Sequence, residues 1–263
     1  MHASRLAPVC FALATLPLAA ADLAEIKARG TLVAVAVYEP RAPEFLELAE
    51  GRTGGFDREV LEGFARAQGL KLEIRTVPTW AELPGVVAAG DADLMCNRVS
   101  NTAARRQVVD FTDEVFPTRV VVMNRRPAPP VASLEQLKAV PRLASIAGTS
   151  MMETLSGLGI TKVDTSVPHG GFPDALRAGR IDAAVWSLEA VIRERRADPE
   201  LQLGMFLGPP ESLAYGVSKT SPALKTALNE HLRVLRQTGT WNRLVVKYFG
   251  AEALDLLRRA REQ

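Results

Sequence analysis

Residues 31–37, TLVAVAV, form an unbroken apolar run rich in β-branched side chains. The run is too short for an all-round buried helix, and β-branching favours extended backbone, so it reads as a strand covered on both faces. The residues after it supply the cover. From Asp57 the pattern turns helical, with Val60, Leu61, Phe64 and Ala67 on one side, Arg58, Glu59, Glu62 and Arg66 on the other, and Gly69 as the stop. Residues 71–77 alternate as a second strand. Thr79 and Glu82 have capping-box spacing for a helix that holds Trp80 in its first turn and ends at Gly90. Residues 92–96 read as a third strand. The β-α-β-α-β order predicts an α/β fold with parallel strands and covering helices.

A second series of the same kind comes after it. Residues 108–116 are extended, and 118–123, TRVVVM, form another β-branched run. The prolines 127, 129 and 130 break the chain. A helix capped by Ser133 and Gln136, a strand at 142–146, a turn at 148–150 into a helix, a short strand at 162–164, a helix at 173–178, a strand at 181–185 and a helix at 188–196 come next. Residues 201–206 and 213–217 are the last strands. Helices are expected at 222–237, capped by Ser221, and at 241–248, with an exposed helical tail at 251–263. The stretches at 116–123 and 213–217 read as two crossings between units. The 263 residues then divide into a discontinuous first lobe (22–117 and 214–250) and a second lobe (118–213), each a mostly parallel sheet flanked by helices. The cleft between them is the natural ligand site.

Composition excludes several functions. With a formal net charge of +2 and no basic tract, nothing points to nucleic acid. Three histidines (His2, His169, His231) and two cysteines are too few and too scattered for a metal centre or a disulfide framework, and no cofactor motif is present. The N-terminus has the form of a signal peptide: a positive start at 1–5, an apolar stretch at 6–18 and small residues at Ala19, Ala20 and Ala21, giving an export signal at 1–21. Cys10 is lost with it. Cys96 remains as a small buried apolar group.

One connection stands out, residues 97–112, NRVSNTAARRQVVDFT. Arg98, Ser100, Thr102 and Arg105 all lie on this strand-to-helix corner. The planar fork of Arg matches two carboxylate oxygens, so the group suits carboxylate capture, although surface arginines are more often a solvated face. Arg106 points away. His169, before two glycines, is a loop residue. The run 193–196, RERR, reads as a solvated helix face.

The stretches RGTLVAVAV, GGFDREVLEGFARAQG, WAELPGVVAAGDADL, TAARRQVVDFT, AGRIDAAV, YGVSK and LRQTGTWNRLVVKYFG come in one order over residues 26–250. In this the chain resembles the family 3 extracellular solute-binding proteins, the periplasmic amino-acid-binding parts of ABC importers. The resemblance implies a two-lobed type II periplasmic-binding-protein fold that closes on a small ligand, a monomer in the periplasm, and a transporter permease as partner. It places the ligand carboxylate on Arg105 and near Ser100, with main-chain amides at Thr149 and Ser150, and it matches Trp80 to an aromatic that packs on the ligand, although core packing suits that residue equally. A helix N-terminus favours such an anion.

The departures concern charge. Where family members place a second-lobe carboxylate for the ligand ammonium, this chain has Ser187, preceded by Trp186; Glu189 is expected to point elsewhere, and Asp182 to belong to the strand end. Arg98 stands where Gly or Ser is usual. A cleft with one negative group fewer and one positive group more suits an anionic ligand: a dicarboxylate, a keto or hydroxy acid, or an acidic amino acid held in a shifted pose. Alternatively Arg98 reaches solvent, or pairs with Glu44 or Asp113, and a standard amino acid binds. Capture without catalysis is the first reading. Similar chains act as cyclohexadienyl dehydratases, for which Glu189 and Glu44 are the candidate acids, and others serve as sensor inputs to separate partners.

Overall fold

The structure, a computed structural model, describes residues 20–50, 52–168 and 170–262. All of the expected signal peptide except Ala20 and Ala21 lies outside the described residues, as does His169. In chain order the first elements are α1 (Leu23–Arg29), β1 (Thr31–Ala36), α2 (Phe56–Gln68), β2 (Lys71–Thr76), α3 (Leu83–Ala89), β3 (Leu94–Met95), α4 (Ala103–Arg106) and β4 (Asp110–Phe111). Then come β5 (Phe116–Arg125), α5 (Leu134–Lys138), β6 (Leu143–Ala144), α6 (Ser150–Gly157), α7 (Phe172–Arg177), β7 (Ala183–Ser187), α8 (Leu188–Ala197) and β8 (Leu201–Leu213). The chain closes with β9 (Gly216–Val217), α9 (Pro222–Gln237), α10 (Thr240–Phe249) and α11 (Glu252–Glu262).

Two sheets with flanking helices form the two lobes, in the orders β2-β1-β3-β9-β4 and β6-β7-β5-β8. Every residue of β1 after Thr31 is buried, as its apolar run requires. Among the named strands of the described residues, parallel pairing is confined to β2-β1-β3 and β6-β7. The strands next to the crossings run antiparallel, so the sheets are mixed rather than mostly parallel. The cause is the connectivity: β5 and β8 enter and leave the second lobe side by side, which forces opposite directions. At the crossing itself Val115 N–H donates to Leu213 O (2.9 Å) and Ala214 N–H to Val99 O (2.9 Å).

Beneath the crossing sits an aromatic knot. Phe249 lies 4.9 Å from Phe45 and 4.8 Å from Phe116, ring centre to ring centre, with Phe56 and Trp241 around them. Trp241 Nε1 donates to Val115 O (2.7 Å), so the indole buries its body without losing its hydrogen bond. Gly55 is required here: its φ is 109°, and a Cβ would collide with the Phe45 carbonyl.

Three local expectations change. Thr79 Oγ1 bonds the Glu82 side chain (2.6 Å) instead of capping the helix, which starts at Leu83 with Pro84 in its first turn, so Trp80 precedes it. The strand expected at 162–164 is an isolated bridge between Ala144 and Asp164. The tail is not exposed: α11 buries Ala253, Leu256, Leu257 and Ala260 and lies against β5 and β8. Those four residues have the i, i+3, i+4, i+7 spacing of a helix face that seeks a partner.

Candidate functional site

All eight residues expected at the site line one cavity of about 740 Å³ between the lobes: Arg98, Ser100, Arg105 and Trp80 from the first, Thr149, Ser150, Trp186 and Ser187 from the second. A larger, open hollow of about 920 Å³ lies beside Glu44 and Arg193, and none of the eight lines it.

The first-lobe wall is a strained corner. Asn97 (φ 69°) and Arg98 (φ 60°) are the only non-glycine residues in the left-handed region among the described residues. Asp57, buried under them, accepts from Asn97 N–H (2.9 Å) and from the Tyr215 hydroxyl (2.8 Å). Burial pushes the Asp57 carboxyl up to about 6, against the lowering effect of these hydrogen bonds. Beyond the corner Thr102 caps α4 by accepting from Arg105 N–H (3.3 Å). Arg105 Nη1 then donates to Ser100 O (2.9 Å). Desolvation lowers the Arg105 pKa, and among the described residues no carboxylate pairs with it. Arg106 turns outward to Asn101, as expected.

The second-lobe wall carries the negative charge. Thr149, the N-cap of α6, spends its hydroxyl on Ile146 O (2.6 Å), so the first amides of α6 have no side-chain cap. Glu189 is buried and lines the cavity, where Thr118 Oγ1 donates to it. This corrects the expectation that Glu189 points elsewhere: Ser187 is the N-cap of α8, and the first turn of that helix brings Glu189 back over the cavity. Glu211 and Glu153 line the same wall. Burial raises the Glu211 carboxyl, and the neighbouring carboxylates of Glu189 and Glu153 raise it further, opposed by Ser150, whose Oγ lies 3.5 Å away. Asp182 is held by Arg142 at the strand end, as expected.

Arg98 does not leave an unpaired positive charge. Its Nη2 donates to Glu39 Oε2 (2.8 Å) and its guanidinium carbon stands 5.6 Å from the centre of the Trp80 ring. Neither Glu44 nor Asp113 is the partner. Glu44 is not among the residues lining the cavity and pairs with Arg193 (2.8 Å). Arg193 is correspondingly not on a solvated face: it is mostly buried, also bonds Glu194, and lies 5.4 Å from the Trp186 ring centre. Arg119, buried at the cavity edge, donates to Gly208 O (2.9 Å) and Ala260 O (3.3 Å). The lining thus holds Glu39, Glu153, Glu189 and Glu211 against Arg98, Arg105 and Arg119. The premise for an anion-selective cleft, a surplus of positive charge, is absent.

Glu39, Glu153, Glu211, Thr118 and Arg119 were not foreseen. Thr118 and Glu211 face each other in the β5–β8 register, a pairing that depends on knowing which strands adjoin.

The family model described as bacterial extracellular solute-binding proteins, family 3, matches residues 33–251. A probable histidine-binding protein of Neisseria gonorrhoeae is 26% identical over 210 residues, 78% of this chain and 78% of that protein. The membrane-bound lytic murein transglycosylase F of Desulfosudis oleivorans is 23% identical over 204 residues, 75% of this chain, but the match spans only 44% of that longer protein. Among solved structures, a P235GK mutant of ArgBP from T. maritima is 26% identical with a TM-score of 0.70, covering 86% of this chain and 98% of that one.

Proposed function

Because this chain belongs to the bacterial extracellular solute-binding proteins of family 3, we propose that its cavity captures an α-amino acid in the periplasm and presents it to a membrane transporter. One observation carries the reading. A desolvated guanidinium without a carboxylate partner, Arg105, and a wall of carboxylates, Glu189 and Glu211, line the same cavity. That is the charge pattern of a zwitterion. The ligand carboxylate sits on Arg105, with Ser100 and the uncapped amides of α6 at Thr149 and Ser150 as further donors. The ammonium sits on Glu189 and Glu211, where it relieves the repulsion between them. Trp80 and Trp186 supply apolar walls. Because donors and acceptors come from both lobes, the ligand favours the closed arrangement through its differential affinity.

Native mass spectrometry of freshly purified protein, followed by calorimetric titration with the common amino acids, tests this. A co-purified amino acid and micromolar-class binding are expected. Binding of dicarboxylates or keto acids in preference to every amino acid would sink the reading.

A second reading rests on Glu211. A carboxyl whose pKa is raised by burial, lining the same cavity as Arg105, has the character of the general acid that an eliminating enzyme of the cyclohexadienyl dehydratase kind needs to protonate a departing hydroxyl. Phenylpyruvate formed from prephenate would establish it.

A further inference from the structure

Arg98 sits in this protein at several costs. Its backbone is left-handed, a conformation that side chains other than glycine avoid. Its side chain is only 7% exposed, and its Nε is buried without an acceptor. An ordinary structural ion pair needs none of this. What the arrangement achieves is a particular placement: the guanidinium stacks over the Trp80 ring and reaches the Glu39 carboxylate, and all three residues line the same cavity as Arg105. An aromatic face beside a carboxylate is the chemistry that recognises a cation.

We infer that Arg98 is an internal occupant of a cation subsite: its own guanidinium fills the niche between Trp80 and Glu39 and excludes the side chain of a long cationic ligand. The inference rests on the amino-acid reading of the cavity and deepens it by naming what the cavity rejects. With the niche filled, the site takes a compact amino acid between Arg105 and the Glu189–Glu211 wall. With Arg98 removed, Glu39 loses its guanidinium partner and Trp80 an overlying cation, and the niche accepts the guanidinium of free L-arginine in its place. Specificity here is set by occupation rather than by contact.

The test uses the full chain, freed of co-purified ligand by dialysis from denaturant, and Arg98→Gly, in which glycine suits the left-handed backbone. Calorimetry with L-arginine and with glycine, L-alanine and L-serine is read for each. The wild type is expected to bind at least one compact amino acid and to bind arginine at least about tenfold more weakly than Arg98→Gly does. Arg98→Lys keeps a cation in the niche and should show no gain for arginine, and Arg98→Gly combined with Glu39→Gln should lose the gain. Equal arginine affinity in the wild type and Arg98→Gly, or a gain that survives removal of the Glu39 charge, overturns the inference alone. Failure of both proteins to bind any amino acid overturns it together with the reading beneath it. A purely structural role for Arg98 would lower all affinities alike and leave the arginine-to-alanine ratio unmoved.

Discussion

Arg193 of the second lobe donates to the carboxylate of Glu44, in the loop after β1, across 2.8 Å, with side-chain exposures of 15% and 7%. One largely buried ion pair therefore joins the lobes at the second hollow, with Arg193 against the Trp186 ring. Orphaning a buried charge costs about 3–5 kcal/mol. Glu194 remains as a second partner for Arg193, so Glu44→Gln is expected to cost less, about 2 kcal/mol, read from the midpoint of urea unfolding. An unmoved midpoint would show that the pair contributes nothing to stability.

Arg105 should separate binding from folding. Its guanidinium is partly desolvated with a single carbonyl acceptor, Ser100 O. Arg105→Ala removes a charge-assisted contact worth about 1.5–3 kcal/mol to the ligand, so Kd should rise roughly 10- to 150-fold. The urea midpoint should move by less than about 0.5 kcal/mol equivalent. A large loss of stability with unchanged Kd would instead make it a structural residue.

Glu211 gives ligand binding a pH dependence with a definite sign. Its carboxyl is raised above the ordinary glutamate range by burial and by Glu189 and Glu153, and only its ionised form attracts an ammonium. Affinity for a neutral amino acid should therefore weaken as pH falls, beginning at a higher pH than an ordinary glutamate, at about 4.3, would impose. Glu211→Gln should bind more weakly at neutral pH and with a flatter pH profile. Identical profiles in the two proteins would remove Glu211 from the site.

Asp57 acts on stability in the opposite sense from a salt-bridged carboxylate. Its folded pKa of about 6 lies above the ordinary value of 3.8. Between these values the folded protein holds a proton that the unfolded chain has released, so this contribution declines as pH rises from about 4 to about 6, by about 3 kcal/mol in all. Asp57→Asn abolishes that slope. The difference in unfolding free energy between variant and wild type, measured by urea at about pH 5 and about pH 7, should become more favourable to the variant at the higher pH. A pH-independent difference would place the Asp57 pKa near that of an ordinary aspartate.

How much of the fold and site was legible in the sequence depends on how far apart the interacting residues are. The strand at 31–36, the helix from Phe56 and the corner carrying Arg98, Ser100 and Arg105 all announce themselves within a few residues, because local spacing and turn chemistry set them. The second-lobe charges do not. Glu211 comes opposite Thr118 only through the β5–β8 register, and Glu39 meets Arg98 only because β1 and β3 are neighbours in the sheet. Each pairing joins residues far apart in the chain, so counting along the sequence cannot find it. Counting from Asp182 reached Ser187 and misjudged Glu189, since a strand continued by eye keeps alternating where the chain has already turned into a helix. The docking of α11 differs: the spacing of Ala253, Leu256, Leu257 and Ala260 was present to be read as a buried face.

That helix has a mechanical consequence. α10 packs on α9 and α2 in the first lobe, while α11, one residue pair later, is fastened to the second by its apolar face, by Arg119 at Ala260 O and by the stacking of Arg259 on Phe206. Beyond the two crossings, the polypeptide thus reaches back to the second lobe at its C-terminal helix. Two adjacent strands form a ribbon that can both bend and twist. A third tether set to one side of that ribbon restricts torsion more than bending, so in the closure proposed above the lobes would approach each other along a single path.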